Sequence, residues 1–424
     1  MKTKYSVLLF MLFFTCPLFS KSIAVMPFNN ITKDESKNWI GSGFAETLTT
    51  KLVKAKEITV LEREQMSKIL EEIKFQKSGL VDEKTAVETG KMYGVEVMVF
   101  GSYQVSSDTL RVSARFVDIR TRKIIDTAET TGNISDIFKL QDEIAFALMD
   151  SLKIVLAEKE KEEIKVNPTE DLTAYEWFSK GYEAGNLKLY DKAIEYFTKA
   201  IDLDSQLTEA YYNRGVAYYK KGLSDDAIED FTKAIQINPK LAAAYYNRGT
   251  AYSEKGLSDE AIEDFTKVIQ INPKDADAYH NRGITYANKG LYDEAILDYT
   301  KAIKINPKDA IAYDNRGNAY TEKGLSDEAI EDYTKAIQIN PKYANAYYNR
   351  GLAYGNKSLY DEAIENFTKV IKLDPNYADA YLARGAAYSS KGLHNLCISD
   401  WKRAADLGYE EARQSLKKFF NIDY

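Results

Sequence analysis

Apolar and polar positions in the C-terminal part of the chain recur with a period of 34 residues. Asn-Arg-Gly appears at residues 213–215, 247–249, 281–283, 315–317 and 349–351, and a proline recurs at 239, 273, 307, 341 and 375. A fixed period of about 20 to 50 residues indicates stacked structural repeats. Seven units fit the pattern, at residues 173–206, 207–240, 241–274, 275–308, 309–342, 343–376 and 377–410.

Each unit is predicted to form two helices. In the third unit Tyr245 and Tyr252 lie on one helical face, and Gly256 marks the turn that follows. Ser258 and Asp259 are candidates for capping the second helix. One such pair of helices cannot bury its own apolar face, so stacked copies are expected to share a continuous core.

The N-terminal part has a different pattern, in which short apolar runs alternate with amphipathic stretches. We expect strands at residues 23–28, 58–61, 95–105, 110–119 and 123–130, and helices at 38–53, 64–73, 83–93 and 134–158. The last two strands are expected to form a hairpin around residues 118–122. Mixed strands and helices of this kind predict an α/β or α+β domain with a mixed sheet.

The first residues have the pattern of a signal peptide. Lys2 and Lys4 precede an apolar run that ends near Phe19, and Ser20 and Ser22 supply small residues for cleavage before residue 23. The run is shorter than the roughly 20 residues of a membrane-spanning helix, and no later stretch is long and apolar enough. We therefore predict that the protein is exported to the periplasm. Association with the outer membrane is a further expectation. A second interpretation of this segment is lipid attachment at Cys16, although Phe-Phe-Thr before it fits a lipoprotein signal poorly.

Composition argues against two classes of partner. The formal net charge of −7 lacks the basic footprint of a nucleic-acid-binding protein, and it also disfavours docking on anionic lipid. Of the two cysteines, Cys16 lies in the predicted signal, so the mature chain would hold only Cys397 and no internal disulfide.

The order of large and small residues within one repeat identifies a family. In the third unit it reads Tyr245, Gly249, Tyr252, Ala261, Phe265, Val268 and Pro273. This order closely resembles the tetratricopeptide repeat family, and the resemblance covers about 240 residues. It implies an all-α right-handed solenoid whose concave groove binds proteins or peptides.

Five short segments of the N-terminal part also form a recognisable series. They are Ala-Val-Met-Pro-Phe at 24–28, Val-Leu-Glu-Arg at 60–63, Ile-Leu-Glu-Glu at 69–72, Gly-Val-Glu-Val-Met-Val-Phe-Gly at 94–101, and residues 111–118. Together they resemble the CsgG-type family of bacterial envelope proteins, with its curli secretion, FlgO and TolB-amino-terminal-like members. The stretches between the predicted elements are too short for the membrane-spanning hairpins of the secretion channel. The resemblance therefore implies a periplasmic domain without the pore.

The predicted organisation is a signal peptide at 1–22, a CsgG-like domain at 23–159, a linker at 160–172, seven repeats at 173–410 and a capping helix at 411–424.

No group of residues typical of an enzyme appears in the sequence. His280 and His394 are the only histidines, and His394 with Cys397 supplies too few ligands for a tetrahedral metal site. Gly41-Ser42-Gly43 lacks the remaining residues of a phosphate-binding loop and is interpreted as the turn that starts a helix. We therefore predict no catalytic residue, no cofactor and no metal.

The best-supported site is the groove of the repeats. In the family, one stripe of each first helix faces the groove, and here that stripe holds Asn213, Asn247, Asn281, Asn315 and Asn349, flanked by Tyr212, Tyr246, His280, Asp314 and Tyr348. A carboxamide both donates to and accepts from a peptide backbone, so a ladder of them suits an extended peptide. The alternative is that Asn-Arg-Gly is a packing signature copied with the repeat.

Two further expectations concern the same helices. The family's clamp for chaperone C-termini needs cationic residues where this chain has Phe178, Tyr182, Ala243 and Asn247, so that ligand is not expected. The arginines that follow the asparagines are expected to pair with acids of the next helix, at Arg214, Arg248, Arg282, Arg316, Arg350 and Arg384.

These observations predict a non-enzymatic envelope scaffold that binds envelope proteins or peptides, with an N-terminal domain that docks or forms a homo-oligomer. One alternative is an accessory component of an outer-membrane secretion or motility apparatus. Another is a small-molecule-binding or enzymatic N-terminal domain.

Overall fold

The structure is a computed structural model that describes residues 20–61 and 83–424. Most of the predicted signal peptide, Cys16 and the helix predicted at 64–73 lie outside the described residues. The chain forms two compact units, residues 1–233 and 234–424, which are described one at a time.

Six strands among the described residues form one mixed sheet in the first unit. They are β1 (Lys21–Val25), β2 (Asn29–Asn30), β3 (Ile58–Val60), β4 (Val97–Ser106), β5 (Thr109–Asp118) and β6 (Lys123–Asn133). The order is β3-β1-β4-β5-β6, with β1 parallel to β3 and β4, and β2 paired with β4. β5 runs antiparallel to both β4 and β6. The predicted mixed sheet and its terminal hairpin are confirmed.

Helices cover both faces of this sheet. They are α1 (Trp39–Leu52), α2 (Glu83–Met92), α3 (Ile137–Ser151) and α4 (Glu158–Ile164). Alternate strand residues point to opposite faces, so Val97 and Val99 join the core with α1 and α3, whereas Met98 and Phe100 join a separate cluster with Val87 of α2.

The single closing helix predicted at 134–158 is wrong. α3 ends at Ser151, and Lys153 adopts a left-handed φ of 58°. The amide of Ile154 then donates to the carbonyl of Met149, which turns the Ile154 side chain into the core. The segment predicted as a linker begins with α4, whose Ile164 is fully buried.

Fourteen helices follow in pairs. In the first unit they are α5 (Leu172–Asn186), α6 (Tyr190–Leu203), α7 (Thr208–Lys220) and α8 (Ser224–Ile237), the last of which crosses the unit boundary. In the second unit they are α9 (Ala242–Glu254), α10 (Ser258–Ile271), α11 (Ala276–Asn288), α12 (Tyr292–Ile305), α13 (Ala310–Glu322), α14 (Ser326–Ile339), α15 (Ala344–Asn356), α16 (Tyr360–Leu373), α17 (Ala378–Ser390) and α18 (His394–Asp406). The single helix α19 (Glu410–Phe420) ends the array. The predicted repeat fold is confirmed.

The capping role predicted for Ser258 and Asp259 is wrong. Leu257 is the N-cap residue and makes no side-chain capping bond, while Ser258 is already helical. The turn is closed by backbone bonds instead, because the Leu257 amide donates to the Tyr252 carbonyl. Asp259 still lies in the first turn, where a carboxylate interacts favourably with the helix dipole.

The Arg-Gly part of the Asn-Arg-Gly signature is explained by packing. A Cβ atom on Gly283 would lie 2.8 Å from the Tyr299 ring, so glycine allows the two helices of the repeat to approach closely. The guanidinium of Arg282 donates from Nε and Nη2 to Asp298 of the second helix, at 2.7 and 2.8 Å. These hydrogen bonds raise the pKa of Arg282, and their effect is larger than the opposing effect of burial.

The predicted pairing of the arginine series with acids is confirmed for Arg214, Arg248, Arg282, Arg316 and Arg384. Arg350 is the exception, because its partner is the amide of Asn366.

The first repeat packs into the core of the first unit. Tyr175 of α5 is fully buried, and its hydroxyl lies 3.0 Å from Thr47 Oγ1 of α1 and accepts from Gln141 Nε2 of α3 at 2.7 Å. Burial raises the pKa of Tyr175 to about 12. The glycine segment predicted as a helix-start turn lies inside α1, where a Cβ atom on Gly43 would lie 2.1 Å from Ser179 Oγ of α5. Glycine here permits the close contact of α1 with α5.

Candidate functional site

The predicted stripe lies on the first helices of the repeats. In the second unit the first helices of successive repeats contact each other, so that their outward sides form one continuous face. We call it the inner face and define it by Ala243, Tyr246, Asn247, Asp277, His280, Asn281, Ile311, Asp314, Asn315, Asn345, Tyr348 and Asn349. Residues four apart, such as Ala243 and Asn247, lie one turn apart on the same side of a helix.

The asparagine amides of the inner face connect neighbouring repeats. The Nδ2 atoms of three of them contact the flanking side chain one repeat earlier, with distances of 2.6 Å for Asn281 to Tyr246 OH, 3.1 Å for Asn315 to His280 Nε2, and 3.2 Å for Asn349 to Asp314 Oδ1. The donors of these amides are thus used within the array. Among the described residues no donor contacts the corresponding Oδ1 atoms, which stay available to a backbone N–H of a bound chain.

The aromatic rings beside the asparagines also pack inside the repeat. Ring centroids lie 5.8 Å apart for Tyr246 and Phe265, and 5.7 Å apart for Tyr348 and Phe367. In the first unit, Tyr212 packs on Phe231 in the same way, at 6.0 Å. The flanking positions therefore stabilise the repeat as well as line its surface.

Asn213 differs from the other asparagines of the stripe. It is only 2% exposed, and its Nδ2 donates to the Glu209 carbonyl of the same helix at 2.7 Å. Its side chain is removed from the surface, so the exposed ladder does not include it.

His280 is held in one tautomer by its neighbours. Because the Asn315 amide nitrogen can only donate, the His280 Nε2 atom accepts and the ring proton is assigned to Nδ1. That Nδ1 lies 3.8 Å from the Asp309 carboxylate. Burial lowers the pKa of His280, whereas Asp309 and Asp277 oppose this shift.

Asp314 is a buried carboxylate with neutral hydrogen-bond partners. It is 4% exposed and accepts from Asn349 and from the Tyr343 hydroxyl at 3.3 Å. Burial raises the pKa of Asp314, an effect that these hydrogen bonds only partly oppose. The other repeats have an uncharged aromatic or aliphatic side chain or His280 at this position, so the fifth repeat carries an added negative charge on the inner face.

Replacing Asp314 by Asn is expected to stabilise the protein at about pH 7, by about 1 kcal/mol, because it removes a buried charge that has no cationic partner. The folded state binds the Asp314 proton more tightly than the unfolded state does, since the folded pKa lies above 3.8. The advantage of the variant should therefore shrink as the pH falls through the raised pKa, and should vanish below 3.8. Melting temperatures across this range test the prediction. The control Asp327→Asn, at a surface ion pair with Lys357, should change the melting temperature little at any pH. A gain in stability of Asp314→Asn that does not depend on pH would contradict the prediction.

A cleft of about 350 Å³ in the first unit bears on the small-molecule alternative. Trp39, Lys180, Glu183 and Tyr196 line it, and burial raises the pKa of Glu183. Its lining includes no histidine or cysteine, and much of it comes from the first repeat rather than from the sheet domain.

The remaining sequence candidates are structural. Cys397 is fully buried, as expected of a small core residue, and burial raises the pKa of its thiol to about 11. His394 packs on the Phe420 ring at 5.7 Å. Within residues 20–61 and 83–424, no cluster of three or more His, Cys, Asp or Glu side chains is arranged to hold a metal ion. No helix in these ranges has the length and apolarity needed to cross a membrane.

Family models match both parts of the chain. Tetratricopeptide repeat models match residues 208–241, 242–275, 276–309 and 344–377, and related repeat models match 187–222, 298–331 and 317–358. The model of the curli production assembly/transport component CsgG matches residues 15–106.

Several solved structures are similar to the repeats. A structure of MamA is 34% identical over 39% of this chain and 96% of its own, with a TM-score of 0.38. YrrB, described as a TPR protein with an unusual peptide-binding site, is 26% identical over 44% of this chain and 97% of its own, with a TM-score of 0.40. The C-terminal part of a TPR repeat-containing protein from Cytophaga hutchinsonii is 21% identical over 57% of this chain and 99% of its own, with a TM-score of 0.50, a likeness of fold alone.

One curated protein is also similar, the Rhizobium meliloti (strain 1021) protein named "Putative adenylate cyclase 3". It is 24% identical over 163 residues, which are 38% of this chain. The match spans only 26% of that protein's length, so its activity does not transfer to this chain.

Proposed function

We propose that the chain is an exported scaffold of the bacterial cell envelope, because tetratricopeptide repeat models match residues 187–377 and the CsgG model matches residues 15–106. In this proposal the inner face binds an extended segment of a protein partner. Repeats of this type support a protein-interaction role, and the free Oδ1 atoms of the asparagine ladder are the observation that carries the proposed site.

The inner face has room for a ligand beside the ladder. Ala243, Ile311 and Asn345 are exposed and precede Asn247, Asn315 and Asn349 by one turn. Ile311 is 54% exposed, so it offers apolar contact next to the amide oxygens. Asp314 lies on the same turn as Ile311, and this charge favours a partner with basic side chains.

One observation supports the envelope location, which is the match of residues 15–106 to the model of the curli production assembly/transport component CsgG. The sheet bears on where the predicted signal would be cleaved. Lys21 and Ser22 pair with Ile58 and Thr59 in the sheet, so cleavage after Ser20 would leave β1 whole, whereas cleavage after Ser22 would remove two of its paired residues. We therefore propose that the predicted signal is cleaved after Ser20 rather than after Ser22. The N-terminal domain would dock or oligomerise, as an accessory of an outer-membrane apparatus requires, and the native mass of the full chain tests this role.

Blocking the inner face should abolish partner capture. In the variant Ala243→Arg, Ile311→Arg, Asn345→Arg, three bulky cations occupy exposed positions without touching the core. We expect at least about a tenfold loss of partner in crosslinking mass spectrometry of native envelopes, equivalent to about 1.4 kcal/mol of binding free energy.

The matched control is Gln270→Arg, Leu297→Arg, Gln338→Arg, which adds three cations at exposed positions of second helices. It should capture the partner like the unmodified chain. An unchanged set of crosslinks in the inner-face variant would rule out the proposed site.

A further inference from the structure

Six repeats carry an arginine of this series on the first helix. In five of them the arginine pairs with an aspartate of the second helix, and the exception is Arg350 in the sixth repeat. In the preceding repeat, Arg316 donates from Nε and Nη2 to Asp332, both at 2.7 Å, and from Nη1 to Thr300 at 2.9 Å. Arg384 makes the same bonds with Asp400 in the next repeat. In the sixth repeat the acid is replaced by Asn366.

This replacement leaves the charge of Arg350 without a counterion. Its Nε donates to Asn366 Oδ1 and its Nη1 to Thr334 Oγ1, both at 2.9 Å. The Asn366 Nδ2 atom is itself a donor, to the Glu362 carbonyl at 2.8 Å. No acceptor among the described residues contacts Arg350 Nη2. An added anion stabilises a partly buried cation that has no counterion, since pairing offsets the free-energy cost of burying its charge.

A cleft opens beside this arginine. Its volume is about 560 Å³, within the range of ligand pockets, and residues of α14, α15 and α16 line it. The Tyr347 ring forms one wall and lies 5.7 Å from the Arg350 guanidinium and 5.8 Å from Lys369 Nζ. One aromatic ring thus holds two cations at the same cleft.

The charge of the cleft differs from that of the repeat before it. Its lining has the cations Arg350, Lys369 and Lys372 against the acids Glu362 and Glu365. One repeat earlier the corresponding positions hold the cations Arg316 and Lys335 against Glu328, Glu331 and Asp332, with the neutral Gln338 in place of Lys372. The local balance therefore changes from one excess negative charge to one excess positive charge, in a chain with a net charge of −7.

We propose that this cleft binds a carboxylate side chain of an acidic protein segment, with Arg350 as its main contact. A single excess positive charge matches a monoanion, and Glu362 and Glu365 would repel a dianionic phosphate. Arg350 faces the second helix of its repeat rather than the inner face, so the site is separate from the asparagine ladder. The two sites allow the repeats to hold two segments of different charge.

The test uses the full chain and a fluorescein-labelled hexaglutamate peptide, with binding measured by fluorescence anisotropy. Asn366→Asp restores the pair found in the other repeats and fills the place of the ligand carboxylate, so we expect binding to weaken by at least about tenfold. The variant should melt no lower than the unmodified protein, because five repeats already fold with aspartate there. Arg350→Gln should lose binding to the same extent.

Gln270→Glu is the matched control, because it adds the same negative charge at an exposed position of α10, outside both proposed sites. It should keep the peptide affinity within about twofold, since exposed charges are largely screened by salt. Equal binding by Asn366→Asp and the unmodified chain would overturn the proposal, as would no binding of hexaglutamate at millimolar concentration. Inorganic phosphate is the competing probe. If Asn366→Asp abolishes phosphate binding while the peptide never binds, the assignment to a carboxylate is wrong.

Discussion

Replacing Lys51 by Met is expected to lower the free energy of unfolding of the first unit by about 3 kcal/mol. The side chain is 2% exposed, and its Nζ lies 2.6 Å from the Asp142 carboxylate. It also donates to the carbonyl of Ile164 at 2.8 Å. Methionine keeps the apolar stem but leaves both acceptors unpaired, and removing one partner of a buried pair costs far more than the intact pair contributes.

Urea unfolding followed by tryptophan fluorescence measures this effect. In a Trp401→Phe background the remaining tryptophans, Trp39 and Trp177, both belong to the first unit. Lys54→Met is the control, because this lysine is exposed just beyond α1 and its loss should cost less than about 0.5 kcal/mol. Equal midpoints for the two variants would show that the buried lysine does not hold α1, α3 and α4 together.

Replacing Asp298 by Ala should destabilise the fourth repeat by about 3 kcal/mol. Asp298 is 5% exposed and accepts two hydrogen bonds from Arg282, so its removal leaves a largely buried guanidinium without an anion. Stability in repeat arrays depends on each unit and its neighbours, so the loss should be greatest near α11 and α12.

Hydrogen exchange by mass spectrometry locates the loss. Amides of α11 and α12 should exchange about a hundredfold faster, as expected for a loss of about 3 kcal/mol. Asp293→Ala, in the same helix, removes only an exposed ion pair with Lys323 and should change exchange by less than about threefold. If the two variants exchange alike, the Arg–Asp pair does not stabilise the repeat.

The two classes of ion pair in this chain therefore have different roles. Asp293 is 76% exposed in its pair with Lys323, whereas the Asp298 side chain is 7% exposed. Water and salt screen the first kind of pair, so it contributes little. The second kind fixes the two helices of a repeat against each other, which is why its loss at Asn366 marks that repeat for a different role.

Contacts between distant residues account for the errors made from sequence. The end of α3 was misplaced because the buried position of Ile154, and not helix propensity, decides the turn at Lys153. Gly43 lies near the start of α1, as predicted, but the sequence does not reveal that Ser179 of α5 packs against it. Likewise, only the structure shows that the asparagine amide donors bond to the preceding repeat.

The sequence by itself determined the seven helix pairs, five of the six described strands of the mixed sheet, the resemblance of the repeats to their family and the partners of five arginines. These features follow from local periodicity and from a spacing that is copied from repeat to repeat, so neighbouring residues suffice to specify them. The tertiary structure alone decided that the first repeat packs on α1 through Tyr175, that Lys51 joins α1 to α3 and α4, and which polar atoms of the inner face stay free for a ligand. Those outcomes depend on burial and on hydrogen bonds between residues from 34 to 128 positions apart, and no local pattern in the chain records them.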